Sequence, residues 1–267
     1  MRFNRLSSRR VIDLVDVSKR YPGAGESFAV RGVTLHVADR ELMAVLGESG
    51  SGKTTLLKMI NRLVEPDTGA VRVFDVDVKT RDVVELRRTI GYVIQNAGLF
   101  PHLTIGDNVA IVPRLLQWPA TKTAARVDEL LELVGLPSAA YRERFPDQLS
   151  GGQRQRAGVA RALAARPRVL LLDEPFSALD PITRVALQEE LRRIHRDLGL
   201  TTIMVTHDLV EALTLADRVA VMLRGELRQV GTPAELLNAP ADEYVARLMG
   251  MVRGQAEQLD TLLGARE

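Results

Sequence analysis

Four short runs carry apolar residues without polar alternation: Leu42-Met43-Ala44-Val45-Leu46, Val169-Leu170-Leu171-Leu172, Ile203-Met204-Val205-Thr206 and Val219-Ala220-Val221-Met222-Leu223. Each has strand length, and Val169–Leu172 reads as a strand buried on both faces of a parallel sheet. The stretch before them behaves differently. Val11, Ile12, Leu14, Val15 and Val17, then Val33, Leu35 and Val37, follow a near-alternating pattern that predicts an antiparallel sheet between residues 11 and 45, with one more strand at Val71-Arg72-Val73-Phe74. Helical spacing takes over at Thr54–Ile60, from Thr104 to about Gly158, and along Gln153–Ala165. Within the middle region Val127, Leu130, Leu131, Leu133 and Val134 keep a 3.6-residue period that Gly135-Leu136-Pro137 closes. Arg224-Gly225-Glu226 reads as a turn, and Glu257, Leu259, Asp260, Leu262 and Leu263 as a short helix in the tail. There is no internal repeat and no low-complexity linker.

Composition narrows the classes. The 267 residues are 46% apolar, ample for one large domain or two small ones. A net charge of +2 is too small to argue for nucleic acid; of the 36 basic residues only five are lysines. The absence of cysteine removes disulfides, thiol chemistry and cysteine metal sites. No stretch reaches the roughly 18 to 20 apolar residues of a membrane span, so a soluble chain is expected and any membrane role must come through a partner. Ser8-Arg9-Arg10 has the look of a twin-arginine signal, but Asp13 and Asp16 interrupt the segment that should be apolar, and no export signal is expected.

Chemistry enters at the ends of the apolar runs. Gly47-Glu48-Ser49-Gly50-Ser51-Gly52-Lys53-Thr54 spells G-x-x-x-x-G-K-[ST] between a strand and a helix, the context this phosphate-binding loop requires. Glycines 47, 50 and 52 let successive N–H groups turn inward, and the helix after them adds the positive end of its dipole. Lys53 is expected on the β- and γ-phosphates and the Thr54 hydroxyl on Mg²⁺, with Thr55 beside it, while Glu48 and Ser49 face outward. Adjacent carboxylates, Asp173 and Glu174, end the strand at 169, and Pro175 forces an abrupt exit. Ligand sites lie at such carboxyl ends, so Asp173 is placed near Mg²⁺ and Glu174 to polarise an attacking water, although two acids after a strand are by themselves an ordinary polar exit. His207 ends the run at 203 by the same geometry and is a candidate to bond the γ-phosphate or orient that water; His36, His102 and His195 read as structural or exposed. Ser150, Gly151 and Gly152 open a long helix, giving either a plain N-cap or a second cluster of anion-seeking N–H groups.

With these motifs in order from residue 11 to about 250, the chain resembles the nucleotide-binding subunit of an ABC transporter. The resemblance implies an α/β P-loop NTPase fold of ABC type. In it a mainly parallel core sheet flanked by helices (11–96 and 159–231) is joined by an N-terminal antiparallel β subdomain and an inserted α-helical subdomain (97–158). It further implies that Tyr21 stacks on adenine, Gly47 to Thr54 form the Walker A loop, and Gln95 contacts Mg²⁺ and water. Leu149 to Gln153 become the signature sequence, Asp173 and Glu174 the Walker B aspartate and catalytic glutamate, Ser177-Ala178-Leu179-Asp180 the D-loop, and His207 the switch histidine. ATP and Mg²⁺ are the implied cofactors. The implied assembly is a head-to-tail homodimer in which Ser150, Gly151, Gly152 and Gln153 of one copy close over the γ-phosphate on Lys53 of the other. It sits at the cytoplasmic face of a membrane on permease subunits that are served by an extracytoplasmic solute-binding protein.

Within that family, Lys58-Met59-Ile60-Asn61-Arg62-Leu63 and the stretch Gly91–Ile105 continuing through Asn108–Pro113 to Trp118 are similar to importers of glycine betaine, carnitine, choline and related quaternary amines. Leu99, Phe100, Leu103 and Ile105 offer either a groove for the permease or packing between subdomains. An importer engine for another solute, such as an amino acid, carries identical hydrolytic residues. An ABC ATPase acting on nucleic acid or ribosomes is disfavoured by the short interval between loop and signature and by the single cassette. Longer relatives carry C-terminal CBS modules; the 17 residues after Gly250 (251–267) are expected to be a short tail without them.

Overall fold

The computed structural model describes residues 9–23, 27–177 and 179–264; Ser8 and Ala178, named above, lie outside them, as do the side chains of Leu259 and Leu263. The chain runs β1 (Arg10–Lys19), β2 (Val30–Ala38), β3 (Leu42–Gly47), α1 (Lys53–Ile60), β4 (Thr68–Val73), β5 (Val76–Asp77), α2 (Val83–Arg88) and β6 (Ile90–Val93). Four helices follow, α3 (Ile105–Leu115), α4 (Ala120–Leu133), α5 (Ser138–Tyr141) and α6 (Gly151–Leu163). Then come β7 (Val169–Asp173), α7 (Pro181–Leu198), β8 (Thr201–Thr206), α8 (Leu209–Leu215), β9 (Arg218–Leu223), β10 (Glu226–Gly231), α9 (Pro233–Asn238) and α10 (Glu243–Gly264).

The apolar runs become the middle of a six-stranded sheet ordered β10-β9-β3-β8-β7-β6, parallel except for the β9–β10 hairpin. Because side chains alternate across a strand, one run feeds two cores. Ala44, Leu46, Leu170, Leu172 and Met204 point into a layer with helices α3, α4, α6 and α7, while Met43, Val45, Leu171, Ile203 and Val205 point into a layer with α1 and the second sheet. That second sheet, β2-β1-β4-β5, is antiparallel throughout, as the alternation at residues 11 to 45 predicts. Leu171 is fully buried in the middle of β7. Leu171→Ala is expected to cost about 2–5 kcal/mol, visible as a lowered urea midpoint at unchanged slope. A loss under about 1 kcal/mol would contradict so tight a packing at this strand.

Between β6 and β7 the chain leaves the sheet to build a helical insert. Thr104 caps α3, its Oγ1 accepting from the Asp107 N–H at 3.1 Å, and Gly135, with φ of 66°, follows the end of α4 where the sequence places a stop. Between α3 and α4 stands Trp118, the chain's one tryptophan, with the Lys122 ammonium 4.3 Å from its ring centre. The apolar stretch before α3 divides: Ile105 is fully buried and Leu99 packs on the core, whereas Phe100 is 45% exposed. Packing therefore claims most of that stretch, and Phe100 is what it leaves at the surface. The tail also differs from expectation. Residues past Gly250 continue α10, a 22-residue helix, so the short helix expected there is the far end of a long one. No helix among the described residues is long and apolar enough to cross a membrane.

Candidate functional site

The loop between β3 and α1 closes over a cleft of about 500 Å³ lined by Ala29, Ser49, Gly50, Gly52, Lys53, Thr54, Thr55, Gln95, Glu174 and His207. Two of its glycines are required for different reasons. Gly52 has φ of 100°, and a Cβ there would sit 2.1 Å from the Ala29 carbonyl oxygen. Gly47 keeps an ordinary φ, but a Cβ would meet the Met222 carbonyl oxygen at 2.4 Å, so its part is close approach of strands and not the curl expected of it. Ser51 lies beneath the loop, buried, its hydroxyl without a hydrogen-bond partner among the described residues. Glu48 is exposed and turned away, its Oε1 3.5 Å from the Tyr244 hydroxyl of α10.

Lys53 is 4% exposed, its Nζ donating to the carbonyl oxygens of Gly47 at 2.7 Å and Glu48 at 2.8 Å. An ammonium has three donors, so this arrangement leaves one for a ligand. Burial lowers the Lys53 pKa, opposed by the carboxylates of Glu174, Asp173 and Glu48. Thr54 Oγ1 donates to Asp173 Oδ1 at 2.9 Å, joining the first turn of α1 to the end of β7. Burial raises the Asp173 pKa; the Thr54 bond opposes the rise and Glu174 adds to it. Tyr92 on β6 faces the same carboxylate, its hydroxyl 3.4 Å from Asp173 Oδ2, and burial, then Asp173, push its pKa upward. Tyr92 is not marked in the sequence by any motif; its one signal is a phenol in the strand that runs into Gln95.

Glu174 leaves β7 with a left-handed φ of 47°, its N–H donating to the Val205 carbonyl at 3.0 Å. The turn aims its carboxylate between two other loops. Gln95 Nε2 donates to Glu174 Oε2 at 3.2 Å, and His207 Nδ1 stands 3.4 Å from the same oxygen. Three residues predicted from separate motifs thus meet at one atom on the wall of the cleft. Tyr21 stands beside it, 38% exposed, its hydroxyl 3.5 Å from Thr55 Oγ1. The donor set of Thr54, Gln95 and Asp173 is all oxygen or amide, which fits a hard divalent cation that takes its remaining ligands from phosphate and water.

Ser150, Gly151, Gly152 and Gln153 do not line this cleft. Ser150 caps α6 reciprocally, its Oγ accepting from the Gln153 N–H at 3.3 Å while Gln153 Oε1 accepts from the Ser150 N–H at 2.9 Å. Gln153 Nε2 also donates to the Tyr141 hydroxyl at 3.0 Å. Of the four, Gly151 reaches a neighbouring hollow that Glu174 and Ser177 also line. The other histidines keep structural places: His195 is buried against the Thr202 hydroxyl at 3.0 Å, His36 pairs with Asp13, and His102 packs edge-on to Phe100.

The sequence profile of the family described as ABC transporter matches residues 30–177, more than half of the chain. The chain belongs to the ABC transporter family. It is 50% identical over 243 residues to the glycine betaine/carnitine/choline transport ATP-binding protein OpuCA of Bacillus subtilis, a match covering 91% of this chain and 63% of that one. The chain therefore spans less than two thirds of that relative's length. The glycine betaine uptake system ATP-binding protein YehX of Escherichia coli is 50% identical over 240 residues, covering 90% of this chain and 77% of its own. Among solved structures, the ATP-binding cassette MJ0796, a dimer in a post-hydrolysis state bound to ADP and Pi, superposes with a TM-score of 0.75. The sequences there are 32% identical, over 83% of this ABC transporter chain and 98% of that one.

Proposed function

We propose that this ABC transporter chain binds ATP at the loop 47–54, hydrolyses it, and thereby powers an importer of quaternary amine solutes. The observation that carries the catalytic part is the meeting of Gln95, Glu174 and His207 on the wall of the phosphate-loop cleft. On this reading the inward N–H groups of residues 49–54 hold the phosphates and the free donor of Lys53 takes the terminal ones. Tyr21 receives the adenine. Thr54, Asp173 and Gln95 would hold Mg²⁺, which when bound neutralises charge on the phosphates. Glu174 accepts a hydrogen bond from a water in line with the γ-phosphate, and Gln95 and His207 fix the direction of that carboxylate. A general base must stand within hydrogen-bond reach of the proton it takes, and the left-handed turn at Glu174 supplies that aim.

The α6 N-terminus supports the remaining half of the reading. Its cap satisfies the side chains of Ser150 and Gln153 within the chain, so what it offers outward is backbone N–H and dipole, suited to an anion carried by a second copy. We therefore assign a head-to-tail homodimer, docked on membrane permease subunits that receive solute from an external binding protein. The cargo rests on the names of the relatives, because the hydrolytic residues hold no record of it. Uptake of labelled glycine betaine, choline, carnitine and proline decides it, measured in cells carrying the transporter with wild-type protein or Glu174→Gln. Loss of glycine betaine, choline or carnitine uptake in the variant is the expected result. Unchanged uptake of all four would discard the quaternary-amine cargo and leave the ATPase reading standing.

A further inference from the structure

Next to Glu174 two turns are tied together by side chains that no part of the catalytic reading uses. Asp208 caps α8, its Oδ1 accepting from the N–H groups of Val210 at 2.9 Å and Glu211 at 3.1 Å. Glu211 is a carboxylate only 6% exposed. Its Oε2 accepts from the Thr206 hydroxyl at 2.7 Å, and Thr206 Oγ1 accepts in turn from the Asp208 N–H at 2.9 Å. These bonds fold the segment 206–211 around His207. Facing them is Arg184, in the first turn of α7. Its Nη2 donates to the Leu179 carbonyl at 3.1 Å, its Nη1 lies 3.6 Å from Asp208 Oδ2, and its Nε lies 3.9 Å from Glu211 Oε1.

A guanidinium in that place joins two loops. One loop leads from Glu174 through Ser177 to Leu179; the other carries His207. The Arg184 Nε is buried and has no hydrogen-bond partner among the described residues, and 3.9 Å is beyond hydrogen-bond range. A hollow of about 40 Å³, lined by Glu174, Ser177, Arg184, His207 and Glu211 among others, leaves space for that distance to close. Burying Glu211 without a cation would be costly, which gives the pair a reason to persist.

We propose that Arg184 is a positioning residue: by bridging the Leu179 turn to Asp208 and Glu211, it fixes His207 against Glu174 and so governs turnover, not nucleotide affinity. The inference rests on the ATPase reading above. Its test is steady-state ATP hydrolysis and equilibrium ATP binding on the full chain, as wild type, Arg184→Gln, Glu211→Gln and the double variant. Each single change is expected to lower kcat about tenfold or more, with KM and Kd for ATP within about twofold. The double variant should be no slower than the slower single, because partners in one contact are not additive. Arg184→Lys, which keeps the charge, should recover part of the loss. If Arg184→Gln fails to fold, Glu211→Gln, nearly isosteric, carries the test alone through the same kcat and Kd readings. Wild-type hydrolysis with kcat unchanged in the variants overturns the inference and leaves the ATPase reading intact. Losses that multiply in the double, or that come with equally weakened ATP binding, overturn it as well. A wild-type protein that does not hydrolyse ATP overturns the ATPase reading first, and this inference with it.

Discussion

Glu174→Gln is expected to slow ATP hydrolysis by roughly 10²- to 10⁴-fold while leaving ATP binding intact, the usual worth of a positioned general base. Glutamine keeps the length and shape of the side chain, so the contacts of Oε2 with Gln95 and His207 can be kept or exchanged at little cost. What it loses is the ability to accept a proton from water. The backbone there has φ of 47°, a region in which β-branched side chains are strained. A branched replacement would therefore mix strain with chemistry, and the amide is the cleaner probe. Turnover by the variant near the wild-type rate, with an unaltered melting temperature, would remove Glu174 from the role of base.

Lys53→Ala is expected to act on the other quantity. The Lys53 ammonium is buried, uses two donors on the loop's own carbonyls, and lies among the carboxylates of Glu174, Asp173 and Glu48. Removing it strips the loop of its cation and leaves Glu174 and Asp173 to repel a polyphosphate. Truncating one partner of a desolvated, hydrogen-bonded charge pair costs about 2–5 kcal/mol. That corresponds to a Kd for MgATP weakened roughly thirtyfold to several thousandfold. Isothermal titration on the two variants side by side separates the roles: Glu174→Gln should bind like wild type and Lys53→Ala should not. Equal affinities in all three proteins would mean that ATP does not lie on this loop.

The sequence was most legible where one physical requirement acts over a few consecutive residues. A strand buried on both faces has to be apolar without interruption, and the runs at 42, 169, 203 and 219 are the central strands β3, β7, β8 and β9. A loop that holds phosphate needs its glycines at fixed places, and Gly52 stands where only glycine fits. Contacts between distant segments left weaker traces. Tyr92 beneath Asp173, Tyr244 against Glu48, and Arg184 facing Glu211 each pair residues of unremarkable type whose meeting depends on how helices and strands stack. The stretch 99–105 shows the limit clearly, since burial of Ile105 and exposure of Phe100 arise from the turn between them and not from hydropathy. The far end of α10 reads in sequence as a short terminal piece because its apolar signal is weak beyond Gly250, where side chains such as Met251 and Leu262 are exposed.

Trp118, between α3 and α4, has an optical consequence. Because the chain holds one tryptophan, indole emission comes from the helical insert alone, while the six-stranded sheet and the phosphate loop are dark at that wavelength. The Lys122 ammonium, 4.3 Å from its ring centre, ties the indole's surroundings to the first turn of α4. Unlabelled protein therefore carries its own reporter in the insert, and a stopped-flow trace on mixing with nucleotide would time the insert's response separately from events at the cleft.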